Sequence, residues 1–251
     1  MSPQCSFKLS LTYYAIDYEG QVTTPALNDP RDILMHEVEW ASVITRNPTG
    51  AQIAMICGSR EFLSSPAACL ANRPAAIVDL RLANLGSTRT SGLDMDMRAH
   101  LNTDMGGFGL RVVGSEVFHF DQAATIMSPT VDILNTLGNP PRTRLRATVD
   151  WSQPDASAAG FGAQVGVDYT GGYSNIGSTL VPNVAPWTTF DLQLRYRTPS
   201  GHGWWSTMEL VLSAVNVFDQ SPSFVDDPYG YDVANIQPLG RVLSFYFSKL
   251  W

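Results

Sequence analysis

The sequence is short of charge. Asp, Glu, Lys and Arg make up 16% of its 251 residues, against roughly 25% in an ordinary soluble domain. It also lacks any run of about 18 apolar residues, which excludes a membrane-spanning helix. That absence says nothing against a β-barrel, whose spanning strands alternate and average to neutral hydropathy, and the mean hydropathy is −0.04. No cluster of Lys and Arg stands out and the net charge is −7, so nucleic acid is not an expected partner. The opening MSPQCSFKLSLTYY has no basic stretch leading into an apolar core, so no signal peptide is read there.

Signatures of catalysis and metal binding are missing as well. His36, His100, His119 and His202 are scattered without metal-ligand spacing, and no Gly-x-Ser-x-Gly elbow or phosphate-cradling loop occurs. No catalytic residue, cofactor or metal site is therefore expected. Asp94 and Asp96 share one face of a strand and form the only candidate acid/base pair, with charged surface lining as the plainer reading. Cysteines number 3. Cys57 and Cys69 bracket the polar segment GSREFLSSPAA, close enough for a loop disulfide in an oxidising compartment, with Cys5 left over. Three free thiols are the alternative.

Turn formers and rings are plentiful, with 20 Gly, 16 Pro and 10% aromatics. Period-2 alternation marks eight strand candidates, at residues 7–18, 79–101, 107–120, 142–151, 160–170, 188–197, 203–218 and 241–251. Most reach the roughly 9–11 residues that a tilted strand needs to cross a bilayer, beyond the usual 5 or so of a soluble strand. Short turn sequences (TDMGG, SQPDAS, TPSGHG) alternate with long connections at 19–78, 121–141, 171–187 and 219–240. Such a meander carries all its long loops at one end, as outer-membrane barrels do. In the first long loop NPTGAQIAMIC predicts a short helix, with Asn47 as cap and Pro48 opening it.

Sorted by parity, the strands show two faces. One is apolar, as in Leu93, Met95 and Met97, or Phe161, Ala163, Val165 and Val167. The other carries Lys8, Asp94, Asp96, Arg98, Arg111, Arg142, Arg144, Arg146, Asp150, Asp168, Asp191, Arg195, Arg197 and Glu209. Asp17, Glu116, Arg241 and Lys249 break the rule near strand ends. A β-sandwich also alternates. The rings separate the two readings: Phe7, Phe108, Trp151, Phe161, Tyr196, Trp204 and Trp251 sit at strand ends beside the short turns or the chain termini, leaving an aliphatic middle, as in an interfacial girdle. The apolar face is then expected to meet lipid and the polar face the lumen. There Arg142, Arg144 and Arg146 form a ladder that could pair with Asp94, Asp96, Asp150 or Asp191. Trp40, Tyr173, Phe224, Tyr229 and Tyr231 are candidate ligand contacts in the long loops, where aromatics more often pack the loop itself.

Three stretches, RLANLGSTRTSGLDMDMRAHL, MELVLSAVNVFDQSPSF and the terminal GRVLSFYFSKLW, together resemble the C-terminal barrel region of TonB-dependent outer-membrane receptors. The resemblance implies an all-β fold: an antiparallel transmembrane β-barrel meander of about eight long strands, with short periplasmic turns and long extracellular loops. Residues 1–251 would be the C-terminal portion of the barrel domain, without the plug. It implies a place in the outer membrane of a Gram-negative bacterium and energised uptake of a scarce siderophore, vitamin or carbohydrate. Partners would be outer-membrane lipid, the barrel insertion machinery and, in the intact receptor, the TonB energy-coupling complex and a small-molecule ligand. Leu243, Phe245, Phe247 and Trp251 would be the assembly signal read by that machinery, although Trp replaces the commoner terminal Phe and Lys249 fills a usually less charged slot. Family barrels have about 22 strands. A partial barrel not competent alone is the preferred reading; a small self-closed eight-strand barrel, binding protein or enzyme is the alternative, and a soluble all-β module a third.

Overall fold

The computed structural model describes residues 4–23, 30–59, 65–71, 74–154, 159–201 and 203–250. Eight long strands follow one another: β1 Gln4–Thr23, β2 Ala83–Thr103, β3 Gly106–Ala123, β4 Thr143–Ser152, β5 Gly160–Thr170, β6 Trp187–Arg197, β7 Met208–Val215 and β8 Val242–Lys249. They lie in one sheet in sequence order, and β3 to β8 pair antiparallel at every step. β1, β2 and β3 run to 20, 21 and 18 residues, and the rest to 8–11. The first three thus exceed the roughly 9–11 residues of a bilayer crossing about twofold.

The registers place the two chemistries on two faces. One row reads Leu110, Val149, Val165, Leu192, Ala214 and Leu243 across six strands, and its neighbour reads Gly109, Asp150, Gln164, Gln193, Ser213 and Ser244. Because a one-residue slip would exchange these rows, the unbroken register through five pairings fixes which residues share solvent. On the apolar face the short-turn end carries a band of rings. Phe108 opposes Trp151, and Phe161 opposes Tyr196 with ring centroids 4.7 Å apart. The Trp151 indole N–H donates to Met105 O at 3.0 Å in the adjoining turn, the polar handle of a ring at a wet rim.

A second band, not anticipated from the sequence, lies at the other end: Phe118, Phe120, Tyr169, and Phe190 edge-on to Phe218 at 5.3 Å. Phe161 and Tyr169 are eight residues apart on β5, about 27 Å along a strand at roughly 3.4 Å per residue. At barrel tilts of about 35–45° that is about 20 Å of height, comparable with the about 25 Å apolar band of outer-membrane barrels.

Several expectations need correction. The strand expected at 203–218 is only Met208–Val215. Trp204 and Trp205 precede it, their rings tilted with centroids 3.9 Å apart and mostly exposed, because the carbonyls of Gly203, Trp204 and Ser206 accept from the Ser206 and Lys249 side chains in a turn rather than from a ladder. The strand expected from 79 starts at Ala83, since Asp79 folds onto the side chain and N–H of Arg81. The helix in the first long loop is Gly50–Cys57, and its cap is Thr49, not Asn47. Thr49 and Gln52 close a reciprocal capping box, whereas Asn47 takes a left-handed φ of 48° and donates its N–H to Ala75 O. A Thr-x-x-Gln box satisfies two orphan donors at once, more than Asn47 could two residues earlier.

The four charges expected on the apolar face all have partners, with Asp17 and Glu116 standing inside β1 and β3 rather than at their ends. Asp17 accepts from Arg89, a further charge of that parity, at 3.0 Å. Glu116 accepts from the Thr143 hydroxyl at 2.5 Å. Lys249 Nζ donates to Trp204 O at 2.5 Å and Ser206 O at 3.1 Å. Arg241 donates through Nη1 to Val217 O at 3.3 Å. The two receptor-like motifs at the end of the chain meet at this last point. Asn216 and Asp219 both hold left-handed φ, at 52° and 56°. Asn216 closes the turn by exchanging bonds with the Gln220 backbone at 2.9 and 3.0 Å, and Asp219 Oδ1 accepts the Arg241 N–H at 2.7 Å. A Cβ on Gly240 would stand 2.5 Å from that same oxygen, so the glycine admits the clasp.

By internal contacts the chain divides into two units, one of Met1–Ile16, Thr90–Phe120 and Asp132–Trp251, the other of Asp17–Arg89 and Asp121–Val131. The second has a small core of Ile33, Trp40, Val43 and Leu85, with Ile33 supplied by the helix Pro30–Met35, and a further helix Pro66–Ala71 packs on the capped one. Among the described residues no helix is long and apolar enough to cross a membrane.

In the first unit the loops after β3, β5 and β7 share a core of Tyr173, Val184 and Val225, with Leu137 against it. Val225 is fully buried, worth about 1.5–3 kcal/mol for a side chain of its size. A carboxylate fastens this core. Asp232 is 3% exposed and accepts from Ala234 N at 2.9 Å, Asn235 Nδ2 at 2.8 Å and Gly138 N at 3.3 Å. Burial opposes its ionisation, but those donors and the nearby Tyr173 phenol outweigh it and hold the carboxyl below its ordinary value. The Tyr173 hydroxyl, buried without a formed hydrogen bond, is pushed up by burial and by that carboxylate.

A depressed folded pKa makes this a stabilising carboxylate above the ordinary Asp range of about 3.9, with its contribution lost as pH falls through the folded value. Limited proteolysis of residues 219–240 is accordingly expected to accelerate as the medium is acidified through that window. Asp232→Ala should give the fast rate already at neutral pH and abolish the acid dependence. A cleavage rate in Asp232→Ala equal to the parent's would refute the latch.

Candidate functional site

The polar face of the sheet is where charge is concentrated, and its strands set the order of the charges. Asp96 on β2 accepts from its neighbour Arg98 at 2.7 Å and from Arg111 of β3 at 3.1 Å. On β4, Arg146 donates to Asp168 of β5 at 2.7 Å and to Asp191 of β6 at 3.1 Å. Asp191 uses its other oxygen to accept the Asn216 N–H at 3.0 Å. Nearer the short turns Arg197 donates to Glu209 at 3.1 Å, with Arg195 at 4.0 Å from the same carboxylate. These pairs are half exposed, so each contributes about 0–1 kcal/mol; they fix side-chain positions more than they stabilise the sheet.

The arginine ladder therefore splits by role. Arg146 takes Asp168 and Asp191, of which only Asp191 was anticipated. Arg144 instead donates to the amide oxygen of Asn235 at 2.5 Å, bringing the last long loop onto the strand wall. Arg142 is engaged through its backbone, donating to Asn135 Oδ1 at 3.0 Å. The Asp94 and Asp96 pair is divided in the same way, since two guanidinium groups occupy Asp96 and leave it no part in proton exchange. Gly92, at the start of that stretch, serves packing: a Cβ there would collide with the Tyr14 ring and Glu116 O.

A cavity of about 690 Å³ opens on this face. Strands β1 to β7 contribute Ser10, Thr12, Asp94, Arg144, Arg146, Asp168, Trp187 and Thr189, and the last long loop adds Asn235, Gln237 and Leu239. Trp187 was missed in the sequence, because the expected strand began one residue after it. Its odd position puts an aromatic on the polar face, in the row of Arg144 and Thr170, and its indole N–H is buried without an acceptor.

The remaining singled-out residues fall as follows. Trp40 and Tyr173 are buried and pack their own loops, whereas Phe224 and Tyr229 are 66% and 68% exposed; Tyr231 is half-buried. Cys57 and Cys69 are joined by a disulfide with Cα atoms 5.7 Å apart, and Cys5 is free. Leu243, Phe245 and Phe247 lie on the apolar face of β8, opposite Ala214, Leu212 and Leu210, and are 52–68% exposed. Trp251 and His202 lie outside the described residues. His100 bonds Asn102 at 2.9 Å, and among the described residues no three His, Cys, Asp or Glu are grouped to hold a metal.

The site is thus a face, ionic on one side of an apolar-backed meander, with the loops after β3, β5 and β7 packed on one another. No curated protein and no solved structure matches the chain. A family model does, the TonB dependent receptor-like β-barrel, over residues 6–217. That span takes in β1 to β7 with every loop between them, and the chain accordingly belongs to the family of TonB-dependent receptor-like β-barrels.

Proposed function

We propose that the chain forms the C-terminal portion of the barrel wall of an outer-membrane receptor that takes up a scarce small molecule. The apolar face meets lipid, the polar face lines the lumen, and the long loops face outward. One observation carries the reading: the apolar rows are exposed, with Val149 at 52%, Val165 at 47%, Leu212 at 52% and Leu243 at 68%, and such a continuous greasy surface needs a covering. Hydrocarbon suits it, since the row from Leu110 through Val149, Val165, Leu192 and Ala214 to Leu243 carries no charge across six strands.

The sheet is an open row whose ends, β1 and β8, are not paired with each other. Most of β1 and of β8 is exposed on both faces. Unpaired strand edges are not tolerated in hydrocarbon, so in the membrane further strands complete the row. This favours a partial barrel over a self-closed barrel of eight strands. Energised passage of a siderophore, vitamin or carbohydrate, the plug, and the TonB complex belong to the intact receptor. The disulfide fits formation in the oxidising periplasm, and β8 with Trp251 serves as the signal for the insertion machinery.

The facing is tested by paired substitutions one residue apart. Val165→Arg is expected to cost about 2–4 kcal/mol in denaturant unfolding from phospholipid vesicles, as a charge at mid-bilayer does, and Gln164→Arg less than about 1 kcal/mol. The opposite ranking would invert the assignment of faces. In a strain lacking the corresponding receptor, the receptor that includes these strands is expected in the outer-membrane fraction, at several-fold lower level when Phe245 and Phe247 are both replaced by Ala. Residues 1–251 by themselves should not restore ligand-dependent growth; growth would show that uptake needs no further part. Peptide mapping without reductant should recover Cys57 and Cys69 as one linked pair, and reduction should lower stability by on the order of 3 kcal/mol, the entropy of a loop of about this size. Recovery of both as free thiols from the exported chain would remove that element.

A further inference from the structure

The charges around the 690 Å³ cavity do not all cancel in place. Asp96 is held by two arginines and Arg146 by two aspartates, so the first cluster carries one surplus positive charge and the second one surplus negative. Those clusters balance each other, and two groups on the cavity wall are left over. Arg144 makes no ion pair among the described residues; its charge is met only by the neutral amide of Asn235, whose nitrogen is itself bonded to Asp232 and Asn139 O. Asp94 has neither an ion pair nor a side-chain hydrogen bond among the described residues.

A separate observation marks the arginine side of the wall. Trp187 Nε1 is buried and has no acceptor, although a buried indole N–H usually finds one. Trp187 and Arg144 flank Thr170 in a single cross-strand row and both line the cavity, so its wall holds a guanidinium and an unspent indole donor. Donors of that kind suit a carboxylate. The volume lies within the roughly 300–1,000 Å³ of small-molecule sites, and Leu239, Val113 and Val215 supply apolar lining beside the polar groups.

We propose that this cavity binds a small zwitterion, its carboxylate on Arg144 and the Trp187 N–H and its ammonium on Asp94, with an apolar side chain against Leu239 and Val215. The balance of the two surrounding clusters disfavours a polyanion, for which Asp94, Asp168 and Asp191 on the same wall are repulsive. Carboxylate binding at Arg144 competes with Asn235 Oδ1 and so reaches the loop that Asp232 fastens. The inference rests on the proposed receptor function and deepens it by naming the chemistry of the ligand.

The test uses outer membranes carrying the intact receptor that includes these strands and the dipeptide alanyl-leucine as radiolabelled probe, with N-acetyl-alanyl-leucine and alanyl-leucine amide as competitors. Each blocked dipeptide should compete about 10–100-fold more weakly than alanyl-leucine, the worth of one charge-assisted hydrogen bond. Arg144→Gln should erase the difference between acid and amide, and Asp94→Asn the difference between free and acetylated amine. Trp187→Phe should weaken binding several-fold, and Arg197→Gln, outside the cavity, should leave it unchanged. Equal competition by all three dipeptides, unchanged discrimination in Arg144→Gln, or no retention by membranes that contain the chain would overturn the proposal while leaving the receptor reading intact. Absence of the chain from the outer membrane would bring down both.

Discussion

A strand's pleat sends neighbouring side chains to opposite faces, and its backbone hydrogen bonds leave sideways to the next strand. Both properties constrain this protein at once. In hydrocarbon no water is available to a bare N–H or C=O, so the ladder must continue. Because the ladder continues in register, the face chosen by one strand is imposed on all the others. Row after row, Leu110 to Leu243 and Gly109 to Ser244, the sheet has one decision to make. The charges off that pattern, such as Asp17, Arg89 and Lys249, survive because each has a partner.

The strands were legible because alternation needs no knowledge of distant residues. Each of the eight sheet strands overlaps a segment that period 2 marks, with its ends shifted in some, and the chemistry of each face can be read from parity alone. What was not legible depended on local competition or on distance. Thr49 displaced Asn47 as cap because Gln52 completes its box. Residues 203–207 left the strand because the carbonyls of Gly203, Trp204 and Ser206 take side-chain donors in a turn. The loop core of Tyr173, Val184 and Val225 joins residues about 50 positions apart with no periodic signal. Arg144 illustrates the limit: its face could be predicted, but its partner, Asn235, lies 91 residues away.

The clasp between the ends of β7 and β8 shows what the receptor-like motifs accomplish physically. An Asn and an Asp three residues apart both adopt left-handed φ, a conformation in which those two residue types are several-fold enriched. The Asn rebuilds its own turn while the Asp reaches across to the backbone of Arg241. Gly240 leaves room for the carboxylate. Asn-Val-Phe-Asp and Gly-Arg thus behave as one device, setting where the last strand enters the sheet and hence the register that keeps Phe245 and Phe247 on the apolar side.

Charge on the polar face also bears on what the lumen contains. Each of the Asp96 and Arg146 clusters shares one ion between two of opposite sign, and half of each arginine remains exposed. Such clusters tolerate water easily and desolvation badly, since burying an imperfectly matched charge costs several kcal/mol. In a barrel of about eight strands the interior is just wide enough for side chains to fill, and these clusters would be stripped of water there. A wide lumen keeps them wet. On the proposed receptor reading, the open row of strands and the half-solvated arginines are two consequences of the same requirement, that the polar side of this sheet face an aqueous space larger than eight strands can enclose.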